Sequence, residues 1–147
     1  MATSKKKAIR NVFFNTSFYV GLNNPSDSLH TRATKILRKL GTFDHNSFTS
    51  NFVFLEAITV ISQKIGRNIA IDFYEKAIQS VREIKIDLEL EERTWSIFKS
   101  IQNKDVSYVD CSILAVIEEF RIDTLVTFDK HFDKFQKDFS FQLLGLE

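Results

Sequence analysis

The sequence predicts an α/β fold: a three-layer α/β/α sandwich with helices on both faces of a short, mostly parallel central sheet. Three observations carry this expectation. Short apolar runs such as Val12-Phe13-Phe14 and Leu125-Val126 alternate with longer segments of helical periodicity, the pattern of parallel strands linked by crossover helices. Four Gly and one Pro are too few for the many tight turns of an all-β fold. A chain of 147 residues, 44% apolar and 13% aromatic, has the length of one domain and the means to bury a core. The expected organisation is a basic tail over residues 1–9 and one domain over 10–147.

The elements follow in order. Asn11–Asn15 reads as a buried strand, and Thr16 or Ser17 is suited to cap a short helix, Phe18–Leu22, that Asn23-Asn24-Pro25 stops. Ser26 or Ser28 opens a second helix. Leu29, Ala33, Ile36, Leu37 and Leu40 form its apolar face, and Gly41 ends it. Phe48-Thr49-Ser50 is a second strand. A helix over about 51–65 follows, closed by Gly66, and another over about 68–80 buries Ala70, Phe73, Tyr74, Ala77 and Ile78. Val81–Ile86 alternates apolar and charged residues as an edge strand does. Residues 88–102 form an acidic helix expected to bury Leu88, Trp95 and Phe98. After a loop, Ser107 is placed to cap a helix packing through Val109, Ile113, Val116, Ile117 and Phe120. Ile122–Phe128 and Phe139–Leu144 are the last strands.

Composition excludes several classes. A single Cys rules out an internal disulfide framework or a Cys-rich zinc site and fits a reducing, cytoplasmic setting. No apolar run approaches the ~18 residues of a membrane span. The basic N-terminus lacks the apolar stretch of a secretory signal. The net charge of +1 conceals an uneven spread: Lys5, Lys6, Lys7 and Arg10 stand among ten residues without an acid, and Arg32, Lys35, Arg38 and Lys39 share one helix. Local patches, not the total, must decide whether a nucleic acid is a partner.

Four polar residues stand where the pattern wants carbon. Glu56 and Asp110 each interrupt the early turns of a helix apolar nearly all round, which implies burial. Asp129 follows the strand containing Leu125-Val126-Thr127-Phe128, and Asn15 ends the first strand. In a parallel sheet these strand C-termini and helix N-termini share one edge, where such folds bind ligands. One carboxylate near a helix N-terminus has an ordinary structural role. Three converging carboxylates repel, and no Lys or Arg stands beside Glu56 or Asp110 in those helices. A hard divalent cation such as Mg²⁺ or Mn²⁺ is the economical neutraliser.

These residues carry a resemblance. Val12-Phe13-Phe14-Asn15-Thr16-Ser17 resembles the opening hydrophobic-Asp-Thr-Ser strand of PIN domains. Ser50–Glu56 is similar to the helix carrying their Glu, Asp105-Val106-Ser107-Tyr108-Val109-Asp110 to their Asp-x-Ser-x-x-Asp segment, and Thr127-Phe128-Asp129 to their Thr-x-Asp element. All four occur in the family's order over about residues 10–144, nearest in pattern to the stand-alone VapC-type toxins. The resemblance implies an endoribonuclease that uses Mg²⁺ or Mn²⁺. It implies Asn15, Glu56, Asp110 and Asp129 as catalytic metal-site residues, with Thr16, Ser17, Asp105, Ser107 and Thr127 around them. It also implies an RNA substrate, a small antitoxin protein and a homodimer. Asp105 is equally suited to a loop role.

Asn15 departs from the pattern, since the family has Asp there. An amide oxygen can ligate a metal but brings no charge and cannot act as a base. The expectation is therefore a nuclease scaffold impaired in this form, the alternative being a non-catalytic module that binds RNA or a protein. A phosphatase or receiver-like domain would need a nucleophilic Asp at position 15. Arg32, Lys35 and Lys39 are candidate RNA contacts, although a solvated helix face is their default. His131 is expected to pack or meet substrate, Cys111 to be a buried thiol, and Trp95 to belong to the core.

Overall fold

The structure is a computed structural model that describes residues 8–146; Lys5–Lys7 of the expected basic tail lie outside the described residues. Five strands, β1 (Asn11–Phe14), β2 (Asn46–Ser50), β3 (Arg82–Ile84), β4 (Thr124–Val126) and β5 (Gln142–Leu144), form one sheet in the order β3-β2-β1-β4-β5. Every neighbouring pair is parallel, so "mostly parallel" becomes wholly parallel. Asp123 fixes the register at the start of β1, accepting from the Asn11 N–H at 2.7 Å.

Helices α1 (Thr16–Asn23) and α2 (His30–Leu40) link β1 to β2, and α3 (Asn51–Lys64) and α4 (Arg67–Ser80) link β2 to β3. The chain then returns across the sheet through α5 (Leu88–Ser100) and α6 (Tyr108–Phe120) to β4. A 3-10 segment, Lys130–Phe135, and α7 (Gln136–Phe139) lead to β5. α1 packs on α2 and α3, α3 on α4, and α5 on α6. Right-handed crossovers running in opposite directions put these two groups on opposite faces. The direction reverses at β1 and β4, which are neighbours, so a crevice opens beyond their C-terminal ends.

The core explains why the elements hold. Val12, Phe13, Phe14, Leu125 and Val126 are fully or almost fully buried, and seven consecutive residues of α6, Cys111–Ile117, are buried as well. Phe14, Phe18, Tyr19, Phe54 and Phe73 form a chain of ring contacts with centroids 4.9–6.0 Å apart between β1, α1, α3 and α4. Burial pushes the Tyr19 hydroxyl well above its usual range.

Several local expectations are corrected. α1 starts earlier than expected, because Asn15 rather than Thr16 or Ser17 caps it. α2 starts at His30, with Asp27 turning the chain ahead of it through a bond from Leu29 N–H at 2.8 Å. Leu37 and Ile78 are exposed rather than packed. α5 buries Leu90, Thr94 and Ile97, while Leu88 is 71% and Trp95 53% exposed. Thr94 tolerates burial because its hydroxyl donates to Leu90 C=O at 2.6 Å. Trp95 instead stacks on Phe98 at the surface, with Tyr108 against both rings. Phe139 belongs to α7, so the last strand is shorter than predicted.

Candidate active site

The crevice is a cleft of about 300 Å³ lined by Asn15, Thr16, Ser17, Glu56, Asp110 and Asp129, with Val20, Leu29, Val60 and Val109 as its apolar walls. All four polar residues singled out in the sequence therefore share one site. The two strands deliver the first pair. The ladder continues past β1 through Asn15 N–H to Val126 C=O at 3.0 Å, and past β4 through Thr127 N–H to Leu144 C=O at 3.1 Å. Behind this turn Gly145 sits at φ +128°, where a Cβ would come 2.3 Å from the Thr127 carbonyl oxygen. Only glycine lets β5 approach so closely.

Caps position the rest. Asn15 is buried, and its Oδ1 accepts from Thr16 N–H at 2.7 Å while its Nδ2 donates to Thr127 Oγ1 at 3.1 Å. Ser50 caps α3, accepting from Val53 N–H at 3.2 Å, which starts the helix that carries Glu56. Ser107 and Asp110 form a capping box: Asp110 N–H donates to Ser107 Oγ at 3.0 Å and Ser107 N–H to Asp110 Oδ2 at 3.0 Å. The box leaves Asp110 Oδ1 for the cleft. Asp129 caps the 3-10 segment, accepting from His131 N–H at 2.9 Å, and its own N–H donates to Thr127 Oγ1 at 3.1 Å.

Asp110, Asp129 and His131 each offer one ligand atom, all within 4.8 Å of one another. His131 Nδ1 lies 2.8 Å from Asp129 Oδ1, so the imidazole meets an acid of the site rather than the core. Glu56 lines the same cleft from α3 but is exposed and stands apart from that compact trio. Partial burial, and then the charges of Asp110 and Asp129, push its carboxyl upward. Asp110 is likewise raised, first by burial and also by Asp129, against the lowering effect of the Ser107 bonds and of His131. Two carboxylates with an imidazole within reach of one point are a donor set able to hold a divalent cation.

The remaining expected residues are placed as follows. Thr16, Ser17 and Thr127 stand at the cleft or directly behind it. Asp105 sits in an exposed turn held by its N–H to Asn103 Oδ1 at 2.9 Å, and it does not line the cleft. Arg32 lies 5.3 Å from the Phe128 ring centroid and donates to the Gly145 carbonyl, so it braces the end of β4. Lys35, Arg38 and Lys39 are exposed. Cys111 is buried, and desolvation raises its thiol to about 11. The sequence reading missed His131 as a partner of Asp129, Gly145, and Lys64, which lines the cleft two helical turns beyond Glu56. The i, i+8 spacing of Glu56 and Lys64 was the available signal for the last.

A parallel sheet in this order, with carboxylates gathered where its winding reverses, defines the architecture of the PIN-type nucleases. The family profile described as the PIN domain matches residues 12–138, and the chain belongs to that family. Among curated relatives it is similar to the "23S rRNA-specific endonuclease VapC20" of Mycobacterium tuberculosis. The two are 25% identical over 122 residues, covering 82% of this chain and 91% of the relative. The crystal structure of VapC20, described as a "Sarcin-Ricin loop cleaving toxin", superposes with a TM-score of 0.76 at 26% identity, over 84% of this chain and 93% of that one. VapBC2 from Rickettsia felis, bound to a DNA fragment from its promoter, shares the fold with a TM-score of 0.65 at 14% identity, over 84% and 91% of the two chains. FitAcB from Neisseria gonorrhoeae does so with a TM-score of 0.60 at 15% identity, over 90% and 96%.

Proposed function

We propose that this PIN-domain protein is a metal-dependent endoribonuclease of the VapC type whose activity in the present form is reduced by Asn15. The observation that carries the reading is the convergence of Asp110 and Asp129 with His131, at a cleft that Glu56 also lines. Asp110 and Asp129 would hold a divalent cation, Mg²⁺ or Mn²⁺, with Glu56 lining the same cleft and the Asn15 amide oxygen contributing shape without charge. Such a cation lowers the pKa of a bound water and offsets the charge that builds on a phosphodiester under attack.

The chain's own residues supply orientation. The capping box fixes the Asp110 carboxylate, Thr127 holds Asn15 and the Asp129 backbone, and His131 holds Asp129. Asn15 keeps the outline of Asp while removing one negative charge and one possible base from the site. Lys64 at the cleft, with Lys35 and Lys39 on the exposed face of α2, provides the positive charge an RNA backbone needs to approach an acidic site.

By similarity to VapC20 the substrate is an RNA hairpin loop of the ribosomal type. The resemblance to toxin–antitoxin pairs supports a small antitoxin partner, a homodimer and a cytoplasmic location. Among the described residues, no helix is long and apolar enough to cross a membrane. The test is cleavage of a sarcin–ricin-type RNA hairpin in Mn²⁺, with Asp110→Asn and Asp129→Asn as controls. Metal-dependent cleavage abolished by either change supports the reading. RNA binding without any cleavage, even at high protein concentration, would favour the non-catalytic module.

A further inference from the structure

Asn15 does more than leave the site one charge short, because it also determines where the hydroxyl protons around it point. Its amide has a single consistent orientation. The Thr16 N–H can only donate, and it lies 2.7 Å from Oδ1, so Nδ2 is the atom that faces Thr127 Oγ1 at 3.1 Å. Thr127 Oγ1 accepts a second N–H, that of Asp129, at 3.1 Å. Two N–H donors occupy both lone pairs of this hydroxyl. Its remaining neighbour is Ser17 Oγ at 3.3 Å, so the Thr127 proton goes to Ser17.

Ser17 Oγ already accepts from Phe128 N–H at 3.0 Å. With Thr127 donating as well, its acceptor capacity is filled, and its own proton has no protein acceptor among the described residues. Ser17 lines the cleft, and beside it the Thr16 hydroxyl is buried without a hydrogen-bond partner. The Ser17 hydroxyl, on the wall of the cleft with a proton to give, suits an anionic oxygen on the ligand.

We infer that Ser17 is a substrate-binding donor whose hydroxyl proton, turned into the cleft by Asn15 through Thr127, takes a non-bridging phosphate oxygen of the RNA backbone. The inference rests on RNA being the ligand, as proposed above. Aspartate at position 15 would reverse the relay. Thr127 would then donate to the carboxylate, Ser17 would donate to Thr127, and the cleft would lose this donor. The Asn form thus exchanges charge in the site for a phosphate contact.

A double-mutant cycle on RNA affinity tests this, read by fluorescence anisotropy of a labelled sarcin–ricin-type RNA hairpin in Ca²⁺, with the RNA checked intact on a gel. The four proteins are the parent, Ser17→Ala, Asn15→Asp and the double variant, each first shown to melt cooperatively. Ser17→Ala is expected to weaken binding about tenfold in the parent background, the size of a hydrogen bond to a charged group. In the Asn15→Asp background the loss is expected to stay below about twofold. Should Ser17→Ala not fold, Ser17→Cys keeps the shape with a weaker donor and must show the same dependence on residue 15. RNA binding with equal losses in both backgrounds overturns the inference alone. Failure of the parent to bind the RNA overturns it together with the nuclease reading.

Discussion

Restoring a carboxylate at position 15 should make the metal-free protein less stable and the metal-bound protein more so. Asn15 is 6% exposed and stands in the cleft with Glu56, Asp110 and Asp129. The Asn15→Asp change adds a carboxylate to a cleft that Asp27, Glu56, Asp110 and Asp129 already line. Even after relaxation, the penalty for burying an ion is several kcal/mol. The Thr16 N–H already bonds this side chain, and the Thr127 hydroxyl can turn to donate, each returning about 1.5–3 kcal/mol as a bond to a charged group. The net is a loss of about 1–3 kcal/mol, and a chain of this length loses about 2–4 °C in Tm per kcal/mol. The expected drop in EDTA is therefore about 2–12 °C. Mn²⁺ at about a thousand times its Kd for the Asp form should then stabilise that form by about 4.1 kcal/mol, more than the loss, and reverse the order of the two proteins. Differential scanning calorimetry in EDTA and in a Mn²⁺ series reads both effects. An Asp variant as stable as the parent in EDTA and no more responsive to Mn²⁺ would refute the placement of residue 15 in a cation site.

Other consequences are smaller or more local. Glu56 has a native pKa raised by burial, Asp110 and Asp129, so its charge costs stability at neutral pH; the cost vanishes below the unfolded-state pKa and grows as pH rises through the native one. Because Glu56 is well exposed, Glu56→Gln should raise the metal-free Tm at pH 7 by only about 1–2 °C, a gain that disappears by about pH 4 and turns into a loss in Mn²⁺. Gly145→Ala drives a Cβ into the Thr127 carbonyl at a φ of +128° and should cost about 2 kcal/mol or more, seen as a Tm lower by at least ~4 °C; an unchanged Tm would contradict the close approach of β5. Reversing charge at Lys35 and Lys39 should weaken RNA binding and flatten its salt dependence by roughly 0.7 in log–log slope per lost phosphate contact, whereas an unchanged slope assigns both residues to solvent.

Much of the site was legible in the sequence because its residues break strong local patterns. Asp129 and Asn15 end apolar strands, and Asp110 interrupts a helix whose next seven residues are all buried. Glu56 was found by the same logic, yet the burial expected around it did not follow, since its neighbour Leu55 is 64% exposed. Periodicity failed on α5 for a definite reason. Leu88, Trp95 and Phe98 compete with Leu90, Thr94 and Ile97 as the buried stripe, and helical spacing allows either. Packing against α6 chose the stripe with a small hydroxyl that bonds its own helix, leaving the large rings to stack outside. His131 escaped notice because its meeting with Asp129 depends on the 3-10 turn between them, and Gly145 because its role lies in the distance between two strands.

Single-turnover cleavage of a sarcin–ricin-type RNA hairpin, at saturating protein in Mn²⁺, by the parent chain and by Asn15→Asp tests the central claim most directly. The account predicts cleavage by the Asp form at least about a hundredfold faster than by the parent, a barrier difference of about 2.7 kcal/mol, with both activities lost on Asp110→Asn. An Asp form that binds Mn²⁺ and RNA yet cleaves no faster than the parent would contradict it.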